Sequence, residues 1–431
     1  MFNFIRGFFA LFLILGLTNL SVVAQQSNDT IRLSLIEAEK IFLERNYQLL
    51  AQRFNISSAQ ANISQAKLWY NPTVFFETNF YNPATKKVFN YGKNVENSGV
   101  YNNGEFQASI TQLVSLAAKR SKLVRLAESN RQLQALAFED LLRNLRFNLY
   151  TAYSELYYDQ QSYILLLSEE KLMKEQVEVF KQQLSRGAVS AYDVTRLEFE
   201  LQTIQTSITD YLNQIADDQI QLQLLLRIEN GKYILPNGMP QPTTLLPNIN
   251  TALDSAMASR PDVKLSLEQI NNAEKNLNLQ KANAIPDFTF GGDFDSYGNA
   301  YPNYSGVNVS FQLPVFNRNQ GNIKIAQIGI SSSKKALEAQ QFQINSEVKN
   351  AHYKLKNFYN LVNNIPTGYR ESLADISIKA AENYNKRIIG LLEFLDKIRS
   401  YKTAQLNLIN MQNNLFQSQQ YFNFVTNSKF F

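Results

Sequence analysis

Apolar and polar residues alternate in four short runs of the chain. Val74, Phe76 and Phe80 alternate with Thr73, Phe75, Glu77 and Asn79, and Phe106, Ala108 and Ile110 with Glu105, Gln107, Ser109 and Thr111. Further on, Phe288, Phe290, Gly292 and Phe294 alternate with Asp287, Thr289, Gly291, Asp293 and Asp295. Val307, Val309, Phe311 and Leu313 alternate in turn with Gly306, Asn308, Ser310 and Gln312. A period of two with one apolar face predicts strands over 72–81, 105–114, 287–297 and 304–314, each wetted on one side. Each run is about ten residues, the length of a tilted strand that crosses a bilayer. Tyr70, Tyr81, Tyr101, Tyr297, Tyr301 and Tyr304 gather at the run ends, where interfacial aromatic girdles sit. A soluble sheet would show the same alternation, so the strands alone leave both readings open.

Between the runs the pattern is helical and very long. Neither Gly nor Pro occurs from Glu105 to Arg186 or from Ala188 to Asn230. A helix over Leu116–Leu184 would reach about 100 Å at 1.5 Å per residue, far beyond a single globular domain. Its return, Ala191–Arg227, carries Leu197, Leu201, Ile204, Ile208, Tyr211 and Ile215 at spacings that alternate four and three, a coiled-coil seam. Helical stretches are also predicted before each strand pair, at about Ser34–Trp69 and Thr251–Ala284.

The chain is written twice. A shift of 200 positions sets Asp193-Val194 on Glu393-Phe394 and Leu113-Val114 on Leu313-Pro314; upstream the offset slips to 214, setting Asn71-Pro72 on Ile285-Pro286. Repeat one (about 30–230) and repeat two (about 251–428) share one order: helix, two strands, long helix, tight turn, returning helix. Residues 231–250, with Pro236, Pro240, Pro242 and Pro247, form a linker with room for a small strand at Lys232–Leu235. The expected fold is mainly α with a membrane β-barrel. Four strands are too few to close a barrel, and lipid cannot satisfy open strand edges, so a membrane reading forces oligomerisation.

Residues 1–24 read as a secretory signal: Arg6, an apolar run from Phe8 to Leu20, and Val22-Val23-Ala24 before Gln25. There is no cysteine, so no lipid anchor is expected and thiolate chemistry is excluded. His352 is the single histidine, mid-helix and without partners at helical spacing, which speaks against catalytic triads and multi-histidine metal sites. The formal charge of +5 is dispersed, giving no nucleic-acid stripe. No phosphate loop, His-Glu-x-x-His or Gly-x-Ser-x-Gly motif occurs. Neither an enzyme nor a cofactor is expected.

The stretch Leu313-Pro314-Val315-Phe316-Asn317-Arg318-Asn319-Gln320-Gly321-Asn322-Ile323, at the fourth strand's junction with a long helix, resembles outer-membrane channels of the TolC family. It is most similar to the branch serving heavy-metal pumps of the resistance-nodulation-division class. Residues 187–201 and 389–396 resemble that family's two helical-hairpin tips. The resemblance implies a homotrimer in the cell's outer membrane, with a 12-stranded barrel in its lipid and a long α-helical barrel in the periplasm. It implies a passive exit channel that docks a periplasmic adaptor fed by an inner-membrane resistance-nodulation-division transporter. With no Cys, one His and five Met, the chain lacks the soft ligands a selective copper or zinc site would use. Arg387 departs from the tip pattern, standing where the first copy has Gly187, and puts the second turn's geometry in question.

In such tubes the periplasmic tip is the narrow end. The 200-residue shift pairs Glu175 with Asp375, a candidate acidic gate favouring cations; a solvated charge is the plainer reading. Candidate adaptor contacts are Arg186, Gly187, Val189, Ser190 and Asp193 in the first tip and Gly390, Leu391, Leu392 and Glu393 in the second. Asp193 also suits a helix N-cap region. Pro366 and Gly368 are a candidate kink, either hinge or fixed bend. Two other readings stay open: peptide or protein secretion through the same architecture, and an exported coiled-coil structural or adhesive protein.

Overall fold

The computed structural model describes residues 29–82, 86–89, 105–229, 231–240, 243, 245–296, 303–366 and 368–431. The expected signal over 1–24 and Tyr101, Tyr297 and Tyr301 lie outside the described residues. The first half runs β1 (Asp29–Leu33), α1 (Leu35–Arg45), α2 (Tyr47–Ala66), β2 (Thr73–Thr78), β3 (Tyr81–Asn82), β4 (Lys87–Val88), β5 (Phe106–Val114), α3 (Lys119–Ser185) and α4 (Ala191–Leu226). After β6 (Lys232–Pro236), the second runs α5 (Ile249–Ser259), α6 (Pro261–Asn283), β7 (Phe288–Ser296), β8 (Asn303–Phe311), α7 (Gln320–Asn363), α8 (Tyr369–Asn385) and α9 (Leu391–Thr426). The two returning helices, α4 and α9, begin and end 200 residues apart.

The four alternating runs form one antiparallel sheet in the order β2-β5-β7-β8. Its register sets Val74 on Ile110, Ile110 on Gly292 and Gly292 on Val307, so the apolar positions of all four strands share one face. Phe76, Phe290, Val307 and Val309 stand exposed there. On the other face Asn308 donates to Asp293 at 3.0 Å. A Cβ on Gly291 would come within 2.8 Å of Thr111 Cγ2 and 3.1 Å of the Ile110 carbonyl oxygen, so this position needs glycine. The runs are shorter than their pattern. At Asn79 the backbone N–H turns to the Glu105 carbonyl, and Tyr81–Asn82 pairs separately with Lys87–Val88. The fourth strand stops at Phe311, before Pro314, which has no N–H to offer a ladder.

The helical stretch expected over Ser34–Trp69 is two helices, broken at Asn46, and Thr251–Ala284 is likewise broken at Arg260. Both break residues are extended (φ −60°, ψ 124° and φ −61°, ψ 128°). Arg260 precedes Pro261, which disfavours helix for it; Asn46 caps α2 by accepting from the Gln48 and Leu49 amides. Both side chains also reach the returning helix of their own half, Asn46 Nδ2 to the Leu225 carbonyl and Arg260 Nη1 to that of Val425, each at 3.0 Å. The duplication thus keeps a joint while changing the side chain that makes it.

A strand not anticipated from sequence, β1, pairs in parallel with β6 and ties the start of the described chain to the linker. Beneath that pair lies an apolar cluster around Phe42, Leu149, Tyr153, Leu222 and Ile234. Its counterpart in the second half is built on Ala256, Ile344, Val348, Leu415 and Phe422, where His352 Nε2 lies 3.1 Å from the Pro247 carbonyl oxygen as a packing residue. The third cluster, toward the hairpin turns, joins α3 and α4 to α8 and α9. Among the described residues no helix is long and apolar enough to cross a membrane.

Candidate functional site

The two hairpin turns close in the same way. At the first, the Gly187 N–H bonds to the Leu184 carbonyl and the Ala188 N–H to that of Gln183; at the second, Arg387 bonds to Tyr384 and Ile388 to Asn383. Gly187 has φ +68° and Arg387 φ +57°. The departure at Arg387 therefore leaves the turn intact but places a residue with a Cβ in the left-handed region, a backbone cost that Gly187 avoids. The restarts differ. Ser190 caps α4 and accepts from the Asp193 amide, while the Asp193 carboxylate accepts from the Ser190 N–H and hydroxyl. Asp193 is thus engaged in a capping box. Gly390 begins α9 with no side-chain cap, and Glu393 turns instead to Lys397 at 3.3 Å. Val189 and Leu391 pack inward, whereas Arg186, Gly187, Gly390 and Leu392 are exposed.

Glu175 is exposed on α3. Asp375 lies in α8, with its side chain outside the described residues, and no described contact joins the two. Between them and the turns, Phe180 stacks on Tyr384 with centroids 5.3 Å apart, tying the first hairpin to the second. The expected kink is a full break: α7 stops at Asn363, α8 starts at Tyr369, and Gly368 has φ +79°. Beside it a cavity of about 670 Å³ opens between Leu361, Pro366, Tyr369, Arg399, Thr403 and Met411.

Sequence reasoning missed the charged groups inside this end of the bundle. Glu200 is 2 % exposed and bonded by Arg399 Nε at 2.5 Å and Lys402 Nζ at 2.9 Å. Burial pushes its pKa up, but the hydrogen bonds from Lys402 and Arg399 outweigh that and leave it below the ordinary value. Glu169, 3 % exposed, has no such clasp: its Oε2 has no hydrogen-bond partner, and burial raises its pKa to about 7 against the pull of Lys402. Gln176 is buried on the same helix with an unpartnered Oε1. The signal was present as Leu166-Glu169-Met173-Gln176-Phe180 and Leu197-Glu200-Ile204, polar residues set into an apolar seam. Further from the tips, Asp159 and Asp218 face each other between α3 and α4, both raised first by burial and then by neighbouring carboxylates.

Nothing in this arrangement resembles a reaction centre, and among the described residues no group of three or more potential ligands could hold a metal. What the molecule offers is a one-sided membrane-length sheet on a helical body whose α3 alone, at 67 residues, extends about 100 Å.

The family model described as outer membrane efflux protein matches residues 40–226 and 252–427, one segment in each half. Toxin and drug export protein A of Aggregatibacter actinomycetemcomitans is 22 % identical over 252 residues, 56 % of this chain and 54 % of that protein. The match thus spans about half the length of that curated relative. Among solved structures, a membrane protein from Pseudomonas aeruginosa superposes with a TM-score of 0.74 at 15 % identity, covering 93 % of this chain and 92 % of the other. CusC superposes at 0.72 with 16 % identity (91 % and 92 % covered), and the Campylobacter jejuni CmeC outer membrane channel at 0.72 with 15 % (91 % and 85 %). Scores this close single out no branch.

Proposed function

The chain belongs to the outer membrane efflux protein family, and on that premise we propose that it is a passive exit channel of a tripartite efflux system. In this reading three copies close a 12-stranded barrel in the outer membrane, and their helices continue as a tube into the periplasm, where an adaptor docks it to an inner-membrane pump. The observation that carries it is the sheet. One face is exposed and apolar along four strands, the other is polar, and among the described residues β2 and β8 are the edges of the sheet. In lipid such edges must pair with other copies. Membership of this family sets the structural or adhesive reading aside. Export of peptides remains the second reading, since the curated relative is titled for toxin as well as drug export.

Glu175 and Asp375 are proposed as the gate. Purified protein in a planar bilayer is expected to give discrete, cation-preferring openings, and Glu175→Gln with Asp375→Asn to lose the preference; unchanged selectivity sinks the gate, and absent openings in every condition sink the channel. The same recordings test the break at Pro366 and Gly368 as a hinge, which conductance unaltered by Pro366→Ala would refute. The tips, residues 186–193 and 390–393, are proposed to meet the adaptor. Charge reversal at exposed Arg186 should weaken adaptor pull-down, and full retention would leave that segment a capping role only.

A further inference from the structure

We propose that the cleft between the end of α2 and the start of α3 binds the headgroup phosphate of an anionic phospholipid in the periplasmic leaflet. The inference rests on the outer-membrane reading above. Lys67, Arg120, Ser121, Val124, Arg125 and Glu128 line a cleft of about 330 Å³. Three cations thus meet one anion. Beside it the Arg120 guanidinium lies over the Trp69 ring, 4.0 Å from the centroid, and Trp69 itself is 71 % exposed. The stacking fixes the guanidinium plane and leaves its N–H edge available for a phosphate oxygen.

The height of the cleft is set by the strands. β2 starts at Thr73 and β5 ends at Val114, so Trp69 lies a few residues before one strand and Arg120 a few residues after the other, both at the helical end of the sheet. The nine-residue strands β5, β7 and β8 have the length that spans the apolar band, and β2 is paired with β5 from its first residue, so the helix-side ends lie at headgroup level, where indole rings concentrate. Exposed Leu68 and Trp69 offer apolar surface to the acyl boundary while the cations face the phosphates. The N-cap of α3 is Ala118, without a side-chain cap and with no acid in the first turn, so the helix dipole adds positive potential at the same place.

The second half lacks the site. On the same shifts of 200 and 214 positions, Gln320 stands for Arg120, Ile325 for Arg125 and Asn283 for Trp69, and only Lys67 keeps a cation, as Lys281. Nearby Lys119 is already paired with Asp287 at 2.8 Å.

Trp69 is the chain's single tryptophan, so its emission reports on this site alone. Full-length protein is reconstituted in phosphatidylcholine vesicles containing a minor fraction of brominated phosphatidylglycerol or of brominated phosphatidylcholine. Brominated phosphatidylglycerol should quench Trp69 at far lower mole fraction. At about five-fold per basic residue near a membrane surface, Lys67→Gln/Arg120→Gln/Arg125→Gln should reduce the preference by about a hundred-fold and Arg125→Gln alone by about five-fold. Equal quenching by both lipids, or a preference that survives the triple variant, overturns the proposal. So does loss of the preference on adding inorganic phosphate, which would make this a site for free anions. Retention of the protein in washed vesicles is scored in parallel: a protein that stays in the bilayer without lipid preference refutes the cleft and not the channel, whereas one washed out refutes the channel reading itself.

Discussion

Glu169 gives the bundle a pH dependence that can be worked from its surroundings. It sits in an apolar seam with one carboxylate oxygen unpartnered, and its pKa stands at about 7 in the folded protein against an ordinary 4.5. Its proton is therefore held more tightly folded than unfolded. The folded state suffers no penalty below about pH 4.5; above that the unfolded chain ionises freely while the folded one resists, and the handicap grows until Glu169 itself ionises near pH 7. At 1.36 kcal/mol per pKa unit, the span of about 2.5 units corresponds to up to about 3 kcal/mol lost between pH 4.5 and pH 8. Glu169→Gln keeps the size and removes the proton. The variant should match the wild type near pH 4.5 and exceed it progressively up to pH 8. Amide hydrogen exchange of α3 and α9 segments, compared between the two proteins at each pH, reads this directly, because intrinsic exchange rates and the similar titrations of Asp159 and Asp218 are common to both. Parallel profiles from pH 4.5 to 8, or a wild type more protected than the variant at pH 8, would show that Lys402 compensates Glu169 fully and refute the reasoning.

Four further outcomes are expected from the backbone and the joints. Arg387→Gly should stabilise the second tip by about 1 kcal/mol, and Gly187→Ala should destabilise the first by a similar amount, both measured as protease resistance of the turns. Arg260 is 3 % exposed and bridges Asp262 at 2.6 Å and Glu347 at 2.8 Å, so Arg260→Ala should cost about 2–3 kcal/mol by taking the cation from two partly buried carboxylates, which keep Arg143, Gln340 and Gln343 as weaker partners. Asn46→Ala, at the equivalent joint, should cost about 1 kcal/mol, as for a lost helix cap, and a melting series on the two variants separates the cases.

Periodicity made much of this architecture legible. A period of two marked all four sheet strands, and the absence of Gly and Pro marked α3 and α4, because those patterns follow from which side of an element is buried. The breaks at Asn46 and Arg260 were harder: Pro261 flags one of them, but Asn46 breaks the helix through a hydrogen bond to Leu225, which is 179 positions away. The same holds for β1, whose partner β6 lies about 200 residues on and whose five residues are too few for a pattern. At the tip, a turn's φ follows from its hydrogen bonds, so Arg387 takes the conformation that Gly187 takes more easily. Glu169 and Glu200 were visible as polar interruptions of a heptad, but the chain alone does not say that Lys402 and Arg399 reach only one of them.

The unlike tips bear on symmetry. Each chain presents one turn made with glycine and closed by a capping box, and one made with arginine and left uncapped. A ring of three chains would therefore show six turns of two alternating kinds, threefold in chemistry though nearly sixfold in shape. A partner assembled from six identical subunits could not see six equal sites around that rim. Half its contacts would meet the Ser190–Asp193 box and half the bare Gly390 start, so the first subunits to bind would have a reason to choose.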